Sequence, residues 1–330
     1  MFDQTFDSQT RKIYKMTNET VKTKSSFTIA GKLKDYRLLI KFSLSFMVAF
    51  SAVISYLLAP NISYGWAKII LLFLGGMMIT GSANAVNEIS EKDTDALMHR
   101  TANRPLPSGR MSVNEAWTAA IIMIVGGLLI LGFYFNWLAA GVAFASWFIY
   151  AYMYTPLKKV SSVSVLVGGI PGALPCLIGW VAGTGELNPM ATFIVASTGK
   201  EVSNIGGWVL FAIQFFWQFP HFWAIAWVAH KDYTNAGFKL MPSVEGPTKY
   251  SAIQSVIYSL VLIPIGMLPY IVGMSGMISF VIVLVANLLM VWQCIRLFRE
   301  MERKAARRVM FSSYFYLPIV LLALLGDKTW

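Results

Sequence analysis

The chain has 330 residues, of which 56% are hydrophobic and only 13% charged. A soluble protein of this length carries about a quarter charged residues, so the composition excludes an ordinary soluble domain and points to an integral membrane protein. The net charge of +11 does not indicate nucleic acid, because the basic residues fall in the loops between apolar segments.

Residues 1–37 read as a polar, basic cytoplasmic tail. Thr, Ser, Lys and Asn dominate residues 1–30, with no apolar stripe of helical period, so mobility is expected there. The tail is too long for the charged region of a signal peptide, and no small-residue cleavage pattern follows it. Residues 38–330 form the membrane domain. A spanning helix needs about 20 apolar residues. Segments 38–58, 66–86, 113–134, 136–156, 160–181, 206–229, 251–272, 276–297 and 310–326 meet this, giving nine spans. Residues 182–205 read as a longer outer loop, whose apolar run Met190–Ala196 is too short to cross. Cys176 and Cys294 lie inside apolar segments without metal-ligand spacing and read as small hydrophobes.

Charge sets the expected orientation. With the N-terminus cytoplasmic, the inner regions hold 23 Lys and Arg, and Lys41 at the inner end of the first span makes 24. The outer side holds only Lys68, Lys200 and Lys328. This bias predicts a cytoplasmic N-terminus, an outer C-terminus and a cytoplasmic 87–112 loop.

The inner end of the second span carries Asn84, Asn87, Glu88, Glu91, Asp93 and Asp95. Carboxylates beside a bilayer core are costly and mark functional sites. At about 100° per residue, Asn84, Glu88, Glu91 and Asp95 share one helical face, with Asn87 about 60° aside. Asp93 points away. Asn87, Glu91 and Asp95 make an i, i+4, i+8 ladder of oxygen donors, the kind Mg²⁺ takes alongside substrate phosphate oxygens. The bland alternative is an amphipathic helix end with its charges in water.

The run Asn87, Glu91, Asp93, Asp95, Met98, Arg100, Thr101, Arg104, Pro105, Leu106 resembles the first signature of the UbiA superfamily of membrane prenyltransferases. Tyr154-Thr-Pro-Leu-Lys-Lys159, the glycine-rich stretch Gly168–Trp180, Phe216–Ala224 and Asp232–Pro242 resemble later motifs of the same superfamily. The Phe219-Pro220-His221-Phe222 core is most similar to its heme-farnesylating branch. The resemblance covers roughly residues 38–326. Glu91 stands where Asp is usual, Ser164 where Asn is common, and Cys176 replaces a second Pro. The second acidic motif is reduced to Asp232 and Glu245.

The resemblance implies an all-α polytopic bundle that transfers a farnesyl group from farnesyl diphosphate to a vinyl group of heme B, giving heme O. It implies Mg²⁺ held by Asn87, Glu91 and Asp95, with Arg100 and Lys158 as further catalytic groups. Asn84, Glu88, Arg104, Tyr154, Trp217, His221 and Asp232 are the expected substrate-binding residues. The lipid bilayer of a bacterial inner membrane is the expected setting, and a heme A synthase or terminal oxidase assembly the expected recipient of product.

Each of these residues also has a plainer reading. Lys158, Lys159, Arg100 and Arg104 fit topogenic charge or lipid headgroup contact. His221 fits a hydrogen-bonding residue between helices, although imidazole is also a common axial ligand of heme iron. Two other functions share parts of the pattern. An aromatic-acid prenyltransferase of quinone synthesis would carry the acidic ladder without the Phe-Pro-His-Phe core. An ion-coupled transporter would carry intramembrane charge, but also repeats that are not evident here.

Overall fold

The structure is a computed structural model that describes residues 28–243 and 245–330. The expected mobile segment up to residue 27 lies outside the described residues. The helices, in chain order, are α1 (Ile29–Leu39), α2 (Phe42–Leu58), α3 (Trp66–Ser90), α4 (Lys92–Ala96), α5 (Val113–Tyr134) and α6 (Trp137–Phe148). A π-helical segment, Ile149–Tyr154, runs on from α6 into the short α7 (Thr155–Leu157). Then come α8 (Ser164–Thr184), α9 (Ile205–Val228), α10 (His230–Asn235), α11 (Lys249–Ile271), α12 (Met277–Glu300) and α13 (Arg303–Gly326).

Among the described residues, eight helices are long and apolar enough to cross a membrane, or nine if the bent pair α1–α2 counts as one span. The expected spans thus match the helices closely. The expected tail is corrected over residues 29–37, which form most of α1, bent 55° from α2. Its partners are distant in sequence. Thr28 caps it by accepting from Gly31 N at 3.1 Å. Lys32 pairs with Glu115 and Asp35 with Arg110, each at 2.9 Å. The loop between α8 and α9 contains a two-stranded antiparallel hairpin, β1 (Thr192–Ile194) and β2 (Glu201–Ser203), with Phe193 opposite Val202.

Two apolar cores share α2 and α8 as a common wall. One joins them to α9, α11, α12 and α13; the other joins them to α3, α5 and α6. Close helix approach on this wall depends on glycine. A Cβ on Gly179 would collide with the backbone carbonyl of Ala52 on α2. Gly206 and Gly207 of α9 are packed against the Trp180 indole, whose Nε1 donates to Asn204 at 2.7 Å.

At the end of the bundle away from the Asn87–Asp95 segment the C-terminus ties back onto α2. Lys328 Nζ donates to the carbonyls of Leu57 (3.0 Å) and Ala59 (2.9 Å), and Trp330 Nε1 donates to Leu58 O. These carbonyls end a helix and lack intrahelical partners. Burial pushes the Lys328 pKa down from 10.5 to about 8.

Two measurements check this packing. Gly179→Ala should cost about 1–3 kcal/mol through overpacking and lower the melting temperature in detergent. Gly141→Ala, where an added Cβ meets nothing within 4 Å, should leave it unchanged. Because the folded state holds the Lys328 proton less tightly than the unfolded chain, stability should rise with pH from about 8 to 10.5. Lys328→Met should flatten that part of the melting curve's pH dependence.

Candidate functional site

The acidic ladder does not lie on one continuous helix. α3 ends at Ser90, and Glu91 takes φ −102° and ψ 7° before α4 begins. The Glu91 carbonyl accepts both Asp95 N (2.7 Å) and the Thr94 hydroxyl (2.9 Å). A local side-chain bond of this kind competes with regular helix. The single-face calculation is corrected accordingly: Asp95 belongs to a separate short turn.

Asn87, Glu91 and Asp95 nevertheless converge with three cations, and all six groups are at least largely buried. Lys41 Nζ donates to Asn87 Oδ1 at 2.7 Å. Lys158 Nζ meets Glu91 Oε1 at 2.8 Å. Arg104 meets Asp95 Oδ2 at 2.6 Å. Asn87 Nδ2 in turn donates to Thr155 Oγ1 at 3.2 Å. Burial works to lower the Lys158 pKa, but the Glu91 carboxylate together with Tyr150 and Tyr233 leaves the lysine above its ordinary value. Lys158 is therefore charged at neutral pH. Its ammonium also sits 4.6 Å above the Tyr154 ring, an attractive cation–π contact.

Asp95 Oδ1 is buried with no hydrogen-bond partner among the described residues. Buried carboxylate oxygens are rarely left so, and a cation fits the position. Among the described residues no three His, Cys, Asp or Glu side chains cluster closely enough to hold a metal by themselves. An ion here relies on the Asn87 amide oxygen and on oxygens of a ligand. That is how Mg²⁺ is commonly bound, through one or two carboxylates plus substrate phosphates.

The other expected site residues lie around this cluster or further along the bundle. Glu88 Oε1 accepts from Leu106 N at 3.3 Å, which anchors the 98–111 loop under the site. Asn84 donates to Ile40 O and Ser45 Oγ, both at 3.2 Å, and fixes the bend between α1 and α2. Arg100 is exposed and donates to Tyr233 OH at 3.1 Å, making no direct bond to the ladder carboxylates among the described residues. Asp232 lies next to Tyr233 on α10 and makes no recorded side-chain hydrogen bond among the described residues. Trp217 Nε1 donates to Ser313 O at 3.1 Å. His221 packs parallel to Trp217 and bonds Ser313 through Nδ1 at 2.7 Å.

Sequence reasoning undervalued Lys41 by reading it as topogenic charge. A lysine flanked on both sides by apolar span residues was the available signal. It occupies a left-handed backbone position, φ 47°, at the start of α2, which turns its side chain into the bundle. Tyr150 and Thr155 were also missed. The π-helical segment brings Tyr150 and Tyr154 to one wall, with ring centroids 5.2 Å apart. Such bulges occur often at functional sites.

Behind the charged cluster runs an apolar cavity. Along α3 its wall extends from Asn84 to Leu72, twelve residues or about 18 Å of helix. Tyr150 and Tyr154 line the end nearest the charged cluster; Ala52, Leu131 and Ile178 line it further in. Gly168 lets the Tyr154 ring lie flat against α8, where a Cβ would meet it at 2.6 Å.

Removing one partner of a buried ion pair costs about 3–5 kcal/mol. Glu91→Ala should therefore lower the melting temperature sharply, while Ala at exposed Asp93 should not. Glu88→Ala should speed amide exchange at Leu106, and Glu88→Gln, which keeps the acceptor, should not; equal exchange in both variants contradicts the anchoring role.

Comparison with known proteins gives the family. Residues 48–317 match the UbiA prenyltransferase family. The protoheme IX farnesyltransferase of Cytophaga hutchinsonii is 42% identical over 305 residues, covering 92% of this chain and 100% of that protein. The protein of the same name from Flavobacterium johnsoniae is 38% identical, covering 92% and 98%. Among solved structures, a digeranylgeranylglyceryl phosphate synthase superposes with a TM-score of 0.70 at 21% identity, covering 90% of this chain and 98% of that one. A UbiA homologue of Archaeoglobus fulgidus bound to DMAPP and Mg²⁺ gives 0.58 at 17% identity, covering 88% and 99%. The chain belongs to the UbiA prenyltransferase family.

Proposed function

We propose that this protein transfers the farnesyl group of farnesyl diphosphate to a vinyl group of heme B, giving heme O. The observation that carries the reading is a buried cluster of oxygen donors and cations at the mouth of a long apolar cavity. The diphosphate belongs in the cluster and the isoprenoid chain in the cavity. Near-full-length relatives named protoheme IX farnesyltransferase support heme as the acceptor. They give no support to aromatic-acid prenylation or ion transport.

Lys41, Lys158 and Arg104 supply fixed positive charge beside the leaving group. Arg104 offers a planar fork and the lysines compact point charges. Their partner oxygens hold them in place before substrate arrives, so little reorganisation is needed as charge develops. Mg²⁺, when bound through Asn87, Glu91 and Asp95, adds Lewis-acid withdrawal of electrons from the departing diphosphate. The allylic C–O bond breaks, and its electron pair leaves with the diphosphate. The vinyl π electrons then form the new carbon–carbon bond to the farnesyl cation. Water adds to the resulting cation beside the porphyrin and loses a proton, leaving the hydroxyl.

The Tyr154 and Tyr150 rings face the carbon that carries positive charge and stabilise it. Apolar walls keep water away until carbon–carbon bonding is complete. Arg100, exposed beside Tyr233, meets anionic substrate groups at the rim, and Asp232 borders the same rim. His221 contacts heme. The bacterial relatives support a bacterial inner membrane setting, and the Lys and Arg bias supports a cytoplasmic N-terminus and 87–112 loop, on the side where farnesyl diphosphate is made. Heme O then passes to a heme A synthase or an oxidase assembly.

Purified protein given heme B, farnesyl diphosphate and Mg²⁺ should yield a heme whose mass rises by one farnesyl group and one hydroxyl group. Asp95→Asn should reduce the rate about 100-fold or more, in line with loss of a main electrostatic contribution. Unmodified heme from well-folded wild-type protein contradicts the reading.

A further inference from the structure

The hydrogen bonds of Ser313 determine which nitrogen of His221 carries its proton. Ser313 Oγ lies 2.6 Å from the carbonyl of Met310, one turn back on α13. It also lies 2.7 Å from His221 Nδ1 on α9. A serine hydroxyl has one proton and a carbonyl has none. The proton must therefore lie between Oγ and Met310 O, since two bare oxygens at 2.6 Å would repel. Oγ is then an acceptor towards His221, and Nδ1 must bring its own hydrogen. The imidazole is the Nδ1–H tautomer, and its Nε2 keeps an unshared pair.

Nε2 bonds no group among the described residues, and it is not one of the buried atoms left without a partner. His221 as a whole retains 9% exposure, so the opening lies on the Nε2 side. The ring is held rigidly on other sides. Trp217 stacks on it at 4.9 Å and 18°, and Tyr314 meets it edge-on at 5.3 Å. Trp217 is itself fixed through its bond to Ser313 O. Ser313 is fully buried and touches the histidine from the side opposite the free nitrogen.

We infer that Ser313 is a positioning residue that presents His221 Nε2 to the iron of bound heme. This rests on the proposal that heme is the acceptor and contacts His221. A metal-bound imidazole characteristically donates its other N–H to a fixed acceptor, which sets tautomer and orientation and raises ligand basicity. Ser313 meets that description, although it belongs to the last span and lies outside every motif that carries the family resemblance. Axial ligation would hold the macrocycle in one orientation and so select which vinyl group faces the cavity.

The test compares Ser313→Thr with Ser313→Val, which have nearly equal volume and differ in the hydroxyl. Each full-length variant is titrated with ferric heme B and read by its Soret and charge-transfer bands, with His221→Ala alongside. Ser313→Thr should keep the wild-type spectrum and affinity. Ser313→Val should shift the bands towards those of His221→Ala and weaken heme binding about tenfold. If His221→Ala changes the spectrum but Ser313→Val does not, the positioning role is overturned and heme contact stands. If His221→Ala leaves the wild-type spectrum, the heme-contact reading itself fails and the inference with it. Thermal melting of all three variants separates either result from unfolding, and Ser313→Thr binding like Ser313→Val also overturns the hydroxyl's role.

Discussion

Charge placed at the edge of a bilayer core must be neutralised within the protein, and the end of this bundle that carries Asn87–Asp95 is organised by that requirement. Lys41, Lys158 and Arg104 come from three separate parts of the chain, and each finds an oxygen on the Asn87–Asp95 segment. Unpaired, each would carry a desolvation cost of several kcal/mol. Paired, they join α2, α3 and the α6–α7 span at one point. The same pairing makes the site ready for a ligand. A diphosphate with a metal ion brings both signs of charge and can exchange partners with the network without leaving any group bare.

The surrounding irregularities follow from this convergence. The bend between α1 and α2 gives Lys41 a left-handed position from which to reach Asn87, and Asn84 holds that bend through Ile40 O. The break at Glu91 lets Glu91 and Asp95 meet different cations. The π-helical segment turns Tyr150 and Tyr154 to the cavity and leaves Lys158 directly above a ring. Glycine contacts at Gly168 and Gly179 supply the close helix approach that keeps these features in register. Each departs from a regular helix where a site residue needs a direction that regular geometry does not give.

The spans were readable from sequence because lipid imposes a minimum apolar length, and the runs are long with few charges. The ladder residues were readable because carboxylates are rare beside such runs. Their partners were not, since pairing depends on which helices pack together. Glu88 looked equivalent to Glu91 by helical angle, yet it faces Leu106 N, a contact set by how the 98–111 loop folds. Arg100 and Arg104 lie one helical turn apart in the sequence, but only Arg104 reaches Asp95. Most of α1 was read as tail because the first 37 residues are polar and basic; its ion pairs run to Glu115 and Arg110, both more than 70 residues away. Ser313 carries no sequence signal, because a serine inside a span ordinarily bonds its own backbone.

The central claim is that the buried cluster binds a prenyl diphosphate together with Mg²⁺. Equilibrium binding of a non-reactive farnesyl thiodiphosphate to the purified protein, with Mg²⁺ and with chelator, tests it most directly. The account predicts tight binding that depends on Mg²⁺ and is lost in Lys41→Met, whose side chain keeps its bulk without its charge. Affinity that is unchanged by chelation and by that substitution would contradict it.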